Sequence, residues 1–129
     1  MQNLTRVLVV NEQTVERKGL SHLLNAAPSI AVIGEAASND EAVLMARVSR
    51  PDVILIDQQI FHKDGPGSLW RIWRENPGIA VLVLYSLTGD VEKTFDFEPG
   101  KLHFIHKDST PEELTRAIEK TNKKSRKTG

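Results

Sequence analysis

Five short runs of apolar residues, each followed by a segment with helical periodicity, constrain the fold of this chain more than any other feature. The runs are too short for helices, and turn residues or charges bound them, so they predict strands. Because the runs are apolar throughout rather than alternating, they indicate a parallel sheet covered by helices on both faces. The predicted strands are residues 7–10, 30–36, 53–56, 79–85 and 102–106.

Capping signals and helical periodicity predict the elements between the strands. Ser38 with Glu41, and Thr110 with Glu113, form capping boxes, in which the paired side chains bond free backbone N–H groups at the start of a helix. Pro51 ends the helix that Ser38 starts, because proline cannot continue a helix. The predicted helices cover about 14–25, 39–50, 68–75 and 111 onward, and a loop rich in glycine and proline precedes the third.

All four helices carry apolar residues at a spacing that predicts a buried face, and the first two serve as examples. The residues expected to face the core are Val15, Leu20, Leu23 and Leu24 in the first helix, and Ala42, Met45, Ala46 and Val48 in the second.

The alternation of elements predicts one α/β domain, a doubly wound five-stranded parallel sheet of flavodoxin-like order 2-1-3-4-5. The element before the fifth strand is atypical, because Pro99 and Gly100 cut short the segment 87–102, in which Val91 and Phe95 have helical spacing. We expect a helix of two turns at most there, or an irregular loop. In such sheets ligands bind at the carboxyl ends of the strands, at the switch point between strands 1 and 3.

Composition excludes several classes of protein. The formal net charge of zero argues against a domain that binds nucleic acid through its overall charge. The absence of cysteine excludes disulfides, thiolate zinc sites and cysteine nucleophiles. No apolar run at the N-terminus is long enough for a signal peptide or a membrane span, so we expect a cytoplasmic protein without membrane association.

The basic composition of the last residues suggests that the chain consists of a folded domain and a short tail. Five of the ten residues 120–129 are Lys or Arg, with no acidic and no apolar residue among them. We interpret residues 1–122 as the folded domain. We interpret residues 123–129 as a fraying helix end or a linker toward an absent domain, rather than as a nucleic-acid arm.

Polar side chains follow four of the predicted strands directly. Because these strands are neighbours in the predicted order, their ends rim one cleft. Two carboxylates and an ammonium at one rim are not needed for folding and indicate a functional site. The residues are Asn11 and Glu12 after strand 1, Asp57 after strand 3, Tyr85 and Ser86 at the end of strand 4, and Lys107 after strand 5.

The residue types favour phosphoryl transfer. Glu12 and Asp57 would repel each other unless a cation lay between them, and Mg²⁺ uses one or two carboxylates in this way. Asp57 could then attack a phosphoryl group while the metal and Lys107 offset the negative charge on its oxygens. A hydroxyl at the end of strand 4 could donate to one of those oxygens. For a lone acid, the alternative is a carboxylate that only caps a turn.

Four stretches resemble the receiver domains of two-component response regulators over about residues 4–122. They are RVLVVNEQ, PDVILIDQQI, KDG at 63–65, and FIHKDSTPEEL, and the spacing from Tyr85 to Lys107 equals that from the family's hydroxyl residue to its lysine. HKDSTPEEL and ERKGLSHLL most resemble receivers that precede a LuxR-type helix-turn-helix output domain.

The resemblance implies a role for each site residue. Asp57 would accept a phosphoryl group from a histidine kinase or a phosphotransfer protein, and Lys107 would contact that group. Glu12, Asp57 and the backbone carbonyl of Gln59 would bind Mg²⁺, with Asn11 contributing through a water molecule. Tyr85, Ser86 and Phe104 would be the hydroxyl and switch residues.

The resemblance also implies partners and excludes turnover. The domain would be a signalling switch without an external substrate, able to form a homodimer. It would reach DNA only through an output domain that would lie beyond residue 129.

Four positions depart from the family pattern. Asn11 replaces one of the two acids after strand 1, which should weaken Mg²⁺ binding. Tyr85 replaces the usual Thr or Ser, and its hydroxyl is carried too far from the backbone. Phe61 replaces a loop proline, and Phe104 cannot hydrogen-bond through a ring hydroxyl.

These departures leave two functions open, a phosphorylated switch and a degenerate receiver that binds partners regardless of phosphate. A small α/β enzyme or a flavin binder has little support, because no Ser/Thr-rich phosphate-binding turn follows strand 1.

Overall fold

The computed structural model describes residues 4–86 and 102–128, which form a five-stranded parallel sheet with helices on both faces. The order is β2-β1-β3-β4-β5 and each neighbouring pair is parallel, which confirms the predicted doubly wound topology. The strands are β1 Thr5–Val10, β2 Ile30–Ala36, β3 Val53–Asp57, β4 Ala80–Tyr85 and β5 Leu102–His106. The short helix or loop predicted over residues 87–102 lies, apart from Leu102, outside the described residues.

Four helices cover the sheet in the described part of the chain, and both predicted capping boxes start one. Ser38 Oγ accepts a hydrogen bond from the Glu41 backbone N–H at 3.1 Å. Thr110 and Glu113 bond each other reciprocally, at 3.1 and 2.7 Å. The helices are α1 Thr14–Asn25, α2 Asn39–Ser49, α3 Gln58–Glu75 and α4 Pro111–Thr128.

The predicted loop before α3 is wrong. The helix starts immediately after Asp57 and continues to Glu75, with a kink at Asp64, where φ is −154° and ψ is 23°. Gly65 and Pro66 were interpreted as helix breakers, but proline is compatible with the first turn of a helix. The helix therefore continues beyond the kink at Asp64, although its sequence contains both residues. Ile60 and Phe61 are fully buried and hold the first segment on the sheet.

The core has one cluster on each face of the sheet. The first, which includes Leu8, Ile56 and Trp73, lies against α2 and α3, and the second, which includes Val9 and Ile118, lies against α1 and α4. In the described part of the chain, no helix combines the length and the hydropathy that crossing a membrane requires.

Two residues expected in the core are exposed, Val15 at 87% and Val48 at 80%. Successive residues turn by about 100° around a helix. Val15 is nine residues before the buried Leu24, and Val48 is two residues after the buried Ala46, so each lies on the opposite side of its helix. The spacing that suggested one continuous apolar face was therefore misread at these two positions.

Candidate functional site

Asp57 is the last residue of β3 and also the N-cap of α3. Its carboxylate Oδ2 accepts a hydrogen bond from the Gln59 backbone N–H at 2.9 Å, and the residue is only 5% exposed. Its register partner in β4 is Leu84. The side chain therefore lies at the carboxyl edge of the sheet, at the positive end of the α3 dipole.

Lys107 follows β5 and forms an ion pair with Asp57. Lys107 Nζ is 2.7 Å from Asp57 Oδ1, and the Lys107 backbone N–H donates to the Tyr85 carbonyl at 2.7 Å, which fixes the lysine beside β4. No described residue donates a hydrogen bond of normal geometry to Asp57 Oδ1. The contact is therefore mainly a charge contact, and this buried oxygen retains capacity to bind another group.

Glu16, in the first turn of α1, is the second anion at Lys107. Its Oε1 is 3.5 Å from Lys107 Nζ. Partial burial lowers the pKa of the Lys107 ammonium, but the Asp57 and Glu16 carboxylates together hold that pKa above its ordinary value. Sequence reasoning missed Glu16. The sequence did offer one signal, because Glu16 is an acidic residue in the first turn of the helix that follows β1.

Glu12 contacts Lys63 of α3, which was noticed in the sequence only as part of KDG. The two form a direct salt bridge, with side chains 44% and 62% exposed. The structure thus joins Asp57 to Lys107 as expected from the strand order, and turns Glu12 toward α3.

Asn11 is buried at the end of β1, next in register to Asp57, because Val10 pairs with Ile56. Its Oδ1 accepts a hydrogen bond from the Gln13 backbone N–H at 2.8 Å, while Nδ2 has no partner among the described residues. Since only an oxygen can accept from an N–H, the orientation of the amide is fixed. Asn11 therefore presents a donor, rather than an oxygen ligand, at its free end.

The donor set fits a hard divalent cation held by few protein ligands. Asp57 Oδ1 contacts Lys107 at 2.7 Å and Glu12 contacts Lys63, so each carboxylate would share or exchange its lysine to bind the ion. Gln59, whose backbone carbonyl was expected as a further ligand, lies in the first turn of α3. No group of three or more His, Cys, Asp or Glu able to hold a metal occurs among the described residues. One or two carboxylates with water is the way in which Mg²⁺ is usually bound.

Tyr85 packs into an aromatic group with two residues of β5. Its ring is 6.4 Å from that of Phe104 and 5.3 Å from that of His106, both edge to face. Tyr85 packs against the α2/α3 core cluster, whereas Leu84, the register partner of Asp57, belongs to the other cluster. Strand alternation thus places the Tyr85 ring and the Asp57 carboxylate on opposite faces.

Ser86 is held by the residue that follows Asp57. Gln58 Oε1 accepts a hydrogen bond from the Ser86 backbone N–H at 2.8 Å and lies 3.5 Å from the Ser86 hydroxyl. Gln58 was not singled out from the sequence, because a glutamine at the start of a helix carries no distinctive signal.

Comparison with known proteins gives one consistent family. A family model described as the response regulator receiver domain matches residues 7–119. The transcriptional regulatory protein LiaR of Bacillus subtilis is 35% identical over 120 residues, which cover 93% of this chain and 57% of LiaR. The response regulator protein VraR of Staphylococcus aureus is 32% identical over 118 residues, which cover 92% and 56%. The chain thus spans little more than half the length of these relatives.

Solved structures agree. A LuxR-family two-component response regulator from Aurantimonas is 26% identical with a TM-score of 0.81, over 94% of this chain and 86% of that one. The signal receiver domain of the response regulator NarL from Mycobacterium tuberculosis, 24% identical with a TM-score of 0.74 over 94% and 98% of the two chains, shares the fold.

Proposed function

Because this chain belongs to the family of response regulator receiver domains, which are signalling domains of two-component systems, we propose that it accepts a phosphoryl group on Asp57 from a histidine kinase or a phosphotransfer protein. The observation that carries the proposal is the contact of 2.7 Å between Lys107 Nζ and the buried Asp57 Oδ1. A carboxylate that attacks a phosphoryl group needs a compensating cation at the site of attack, and Lys107 supplies it.

The chemistry is a displacement at phosphorus. Asp57 Oδ1 forms the new bond to phosphorus while the bond from phosphorus to the donor's histidine nitrogen breaks, and the leaving imidazole takes up a proton. Lys107 compensates the charge on the phosphoryl oxygens. The other carboxylate oxygen, Oδ2, keeps its bond to the Gln59 N–H and so holds the carboxylate in one orientation.

Mg²⁺, held by Asp57 and Glu12, would supply further positive charge to the phosphoryl oxygens. Glu12 must then exchange its Lys63 partner for the ion. We include Mg²⁺ as the cofactor because both ligands are hard carboxylate oxygens.

The readout involves the aromatic group around Tyr85. A signalling switch needs two packings of similar energy that a charge event can bias. The Lys107 backbone N–H donates to the Tyr85 carbonyl at 2.7 Å, so movement of Lys107 toward a phosphoryl group would act on the packing of Tyr85 against Phe104 and His106. The switched contact would be with a partner, with a second copy of the chain, or with an output domain.

The relatives suggest the wider context. One of them is described as a transcriptional regulatory protein. We propose that this domain likewise serves a regulator in the cytoplasm, and that any contact with DNA is made by a separate output domain.

Intact-mass measurement after incubation with acetyl phosphate and Mg²⁺ tests the proposal. The protein should gain the mass of one phosphoryl group, and EDTA should prevent this gain. The matched control is Asp57→Asn, because its amide oxygen still accepts the Gln59 N–H, whereas Asp57→Ala also removes the helix cap, worth about 1 kcal/mol. A folded protein that gains no mass would overturn the proposal in favour of a phosphate-independent interaction module.

A further inference from the structure

Lys107 lies between two carboxylates. Its Nζ is 2.7 Å from Asp57 Oδ1 and 3.5 Å from Glu16 Oε1. The Asp57 side chain is 5% exposed, that of Lys107 29% and that of Glu16 39%, so the contact to Glu16 is the outer one. Two anions therefore share one cation at the place where a phosphoryl group would bind.

Two other cations of this region, Lys63 and Arg17, are paired with groups other than Glu16. Lys63 is engaged by Glu12, and Arg17 bonds Glu35 at 3.0 Å and the Asn11 carbonyl at 2.9 Å. Lys107 is the only cation whose contact with Glu16 the described residues show. Phosphorylation turns the Asp57 monoanion into a dianion, and this added charge also needs Lys107.

The backbone keeps Glu16 at this place. It belongs to the first turn of α1, and its neighbour Arg17 ties that turn to the ends of β1 and β2 through Asn11 and Glu35. The helix therefore cannot move away as a unit without breaking these contacts. Glu16 can relieve repulsion only by rotating its own side chain into water.

We propose that Glu16 restrains the phosphorylation of Asp57, because its carboxylate competes for Lys107 and repels the incoming anion. This role rests on the proposed function and concerns how readily the phosphoryl group is held. Glu16 is a positioning residue that acts through Lys107. It makes the unphosphorylated state the favoured state of the site in the absence of a strong phosphodonor.

The test is a titration with beryllofluoride, a phosphoryl analogue, at saturating Mg²⁺, followed by ¹⁹F NMR. Glu16→Gln removes the charge and keeps the shape. We expect it to lower the half-saturating beryllofluoride concentration about threefold at low ionic strength, as suits a partly exposed charge contact. The difference should shrink as salt is added, because salt screens exposed charges. A purely structural role would not show this salt dependence.

Two matched variants complete the test. Glu16→Asp keeps the charge and should retain most of the restraint. Glu75→Gln makes the same chemical change on an exposed acid at the far end of α3, and should behave as the unmodified protein. Equal affinity for Glu16→Gln and the unmodified protein, or an equal gain in Glu75→Gln, would overturn the proposal.

The same titration separates this inference from the proposed function. If no protein, modified or not, binds beryllofluoride, the proposed function fails and the restraint with it. If the unmodified protein binds it and Glu16→Gln changes nothing, the restraint alone fails.

Discussion

Asn11 shows how one atom changes the chemistry of a site. The position is 2% exposed and next in register to Asp57, the proposed phosphoacceptor, but its side chain carries no charge. Its oxygen is committed to the Gln13 N–H, so the buried end is an N–H donor. The other carboxylates of the site, those of Glu12 and Glu16, are each already paired with a lysine.

Asn11→Asp should tighten Mg²⁺ binding about tenfold, because it adds a carboxylate ligand beside Asp57 while keeping the oxygen that accepts from Gln13. Without metal the same change should lower the free energy of unfolding, because it places a like charge next to a buried anion. Mg²⁺ titration by calorimetry and urea unfolding with and without Mg²⁺ would measure both effects. Asn25→Asp, at the other end of α1, is the matched control. Unchanged Mg²⁺ affinity in Asn11→Asp would contradict the expectation.

The helices differ in how far local sequence decides where they begin. α2 and α4 start at capping boxes, whose two partners are three residues apart in the sequence, so their starts were predicted correctly. α3 starts at Asp57 through a cap that the sequence reading assigned to a loop entrance. Asp57, the proposed phosphoacceptor, is thus also a helix cap, whereas the two roles were alternatives in the interpretation of the sequence.

Thr110→Ala tests the cap of α4. It removes the hydroxyl that accepts the Glu113 N–H and should cost about 1 kcal/mol of stability in urea unfolding at neutral pH. Hydrogen bonds from Thr110 lower the pKa of Glu113, so the stability that this carboxylate contributes is present above its unfolded value of 4.5 and is lost as the pH falls through its folded value.

The loss of unfolding free energy in Thr110→Ala should therefore be smaller at acidic pH. Urea unfolding across the acidic range would measure it. Thr110→Ser, which keeps the accepting hydroxyl, is the control. Thr110→Ala keeps the backbone N–H that donates to Glu113, so an equal loss of stability at all pH values would show that the Thr110 hydroxyl does not help to lower the pKa of Glu113.

Topology explains which parts of the site were predictable. Parallel strands place their carboxyl ends at one edge, so the meeting of Asp57 and Lys107 followed from the strand order, although 50 positions separate them. The pairing of Glu12 with Lys63 did not follow, because it depends on a helical segment that was expected to be a loop. Glu16 was missed because the rotation of a helix on its sheet sets which residue of the first turn faces the rim.

At the scale of the whole molecule, the two ends of the domain meet. Asn122 Nδ2 in α4 donates to Thr5 Oγ1 in β1 at 3.3 Å, and both residues are buried, as is Thr121. α4 continues to Thr128, past the predicted boundary at residue 122, and that boundary stays a prediction.

Two truncations test the boundary. A chain ending at residue 122 keeps the contact with Thr5, so its free energy of unfolding should lie within about 0.5 kcal/mol of the full chain. A chain ending at residue 119 loses Thr121 and Asn122 and leaves Thr5 without its partner, which should cost about 1–3 kcal/mol. Urea unfolding of the three chains gives the comparison. Equal stability of the two truncations would move the boundary to residue 119.

The Ser86 backbone N–H donates to Gln58 Oε1, which ties the chain where it leaves β4 to the residue that follows Asp57. The Gln58 carboxamide thereby holds the Ser86 backbone directly, and this contact does not depend on any side chain of β4. A tilt of the first turn of α3 would consequently be felt at Ser86. An event at Asp57 could therefore reach the end of β4 through one hydrogen bond between the Gln58 side chain and the Ser86 backbone, beside any aromatic rearrangement.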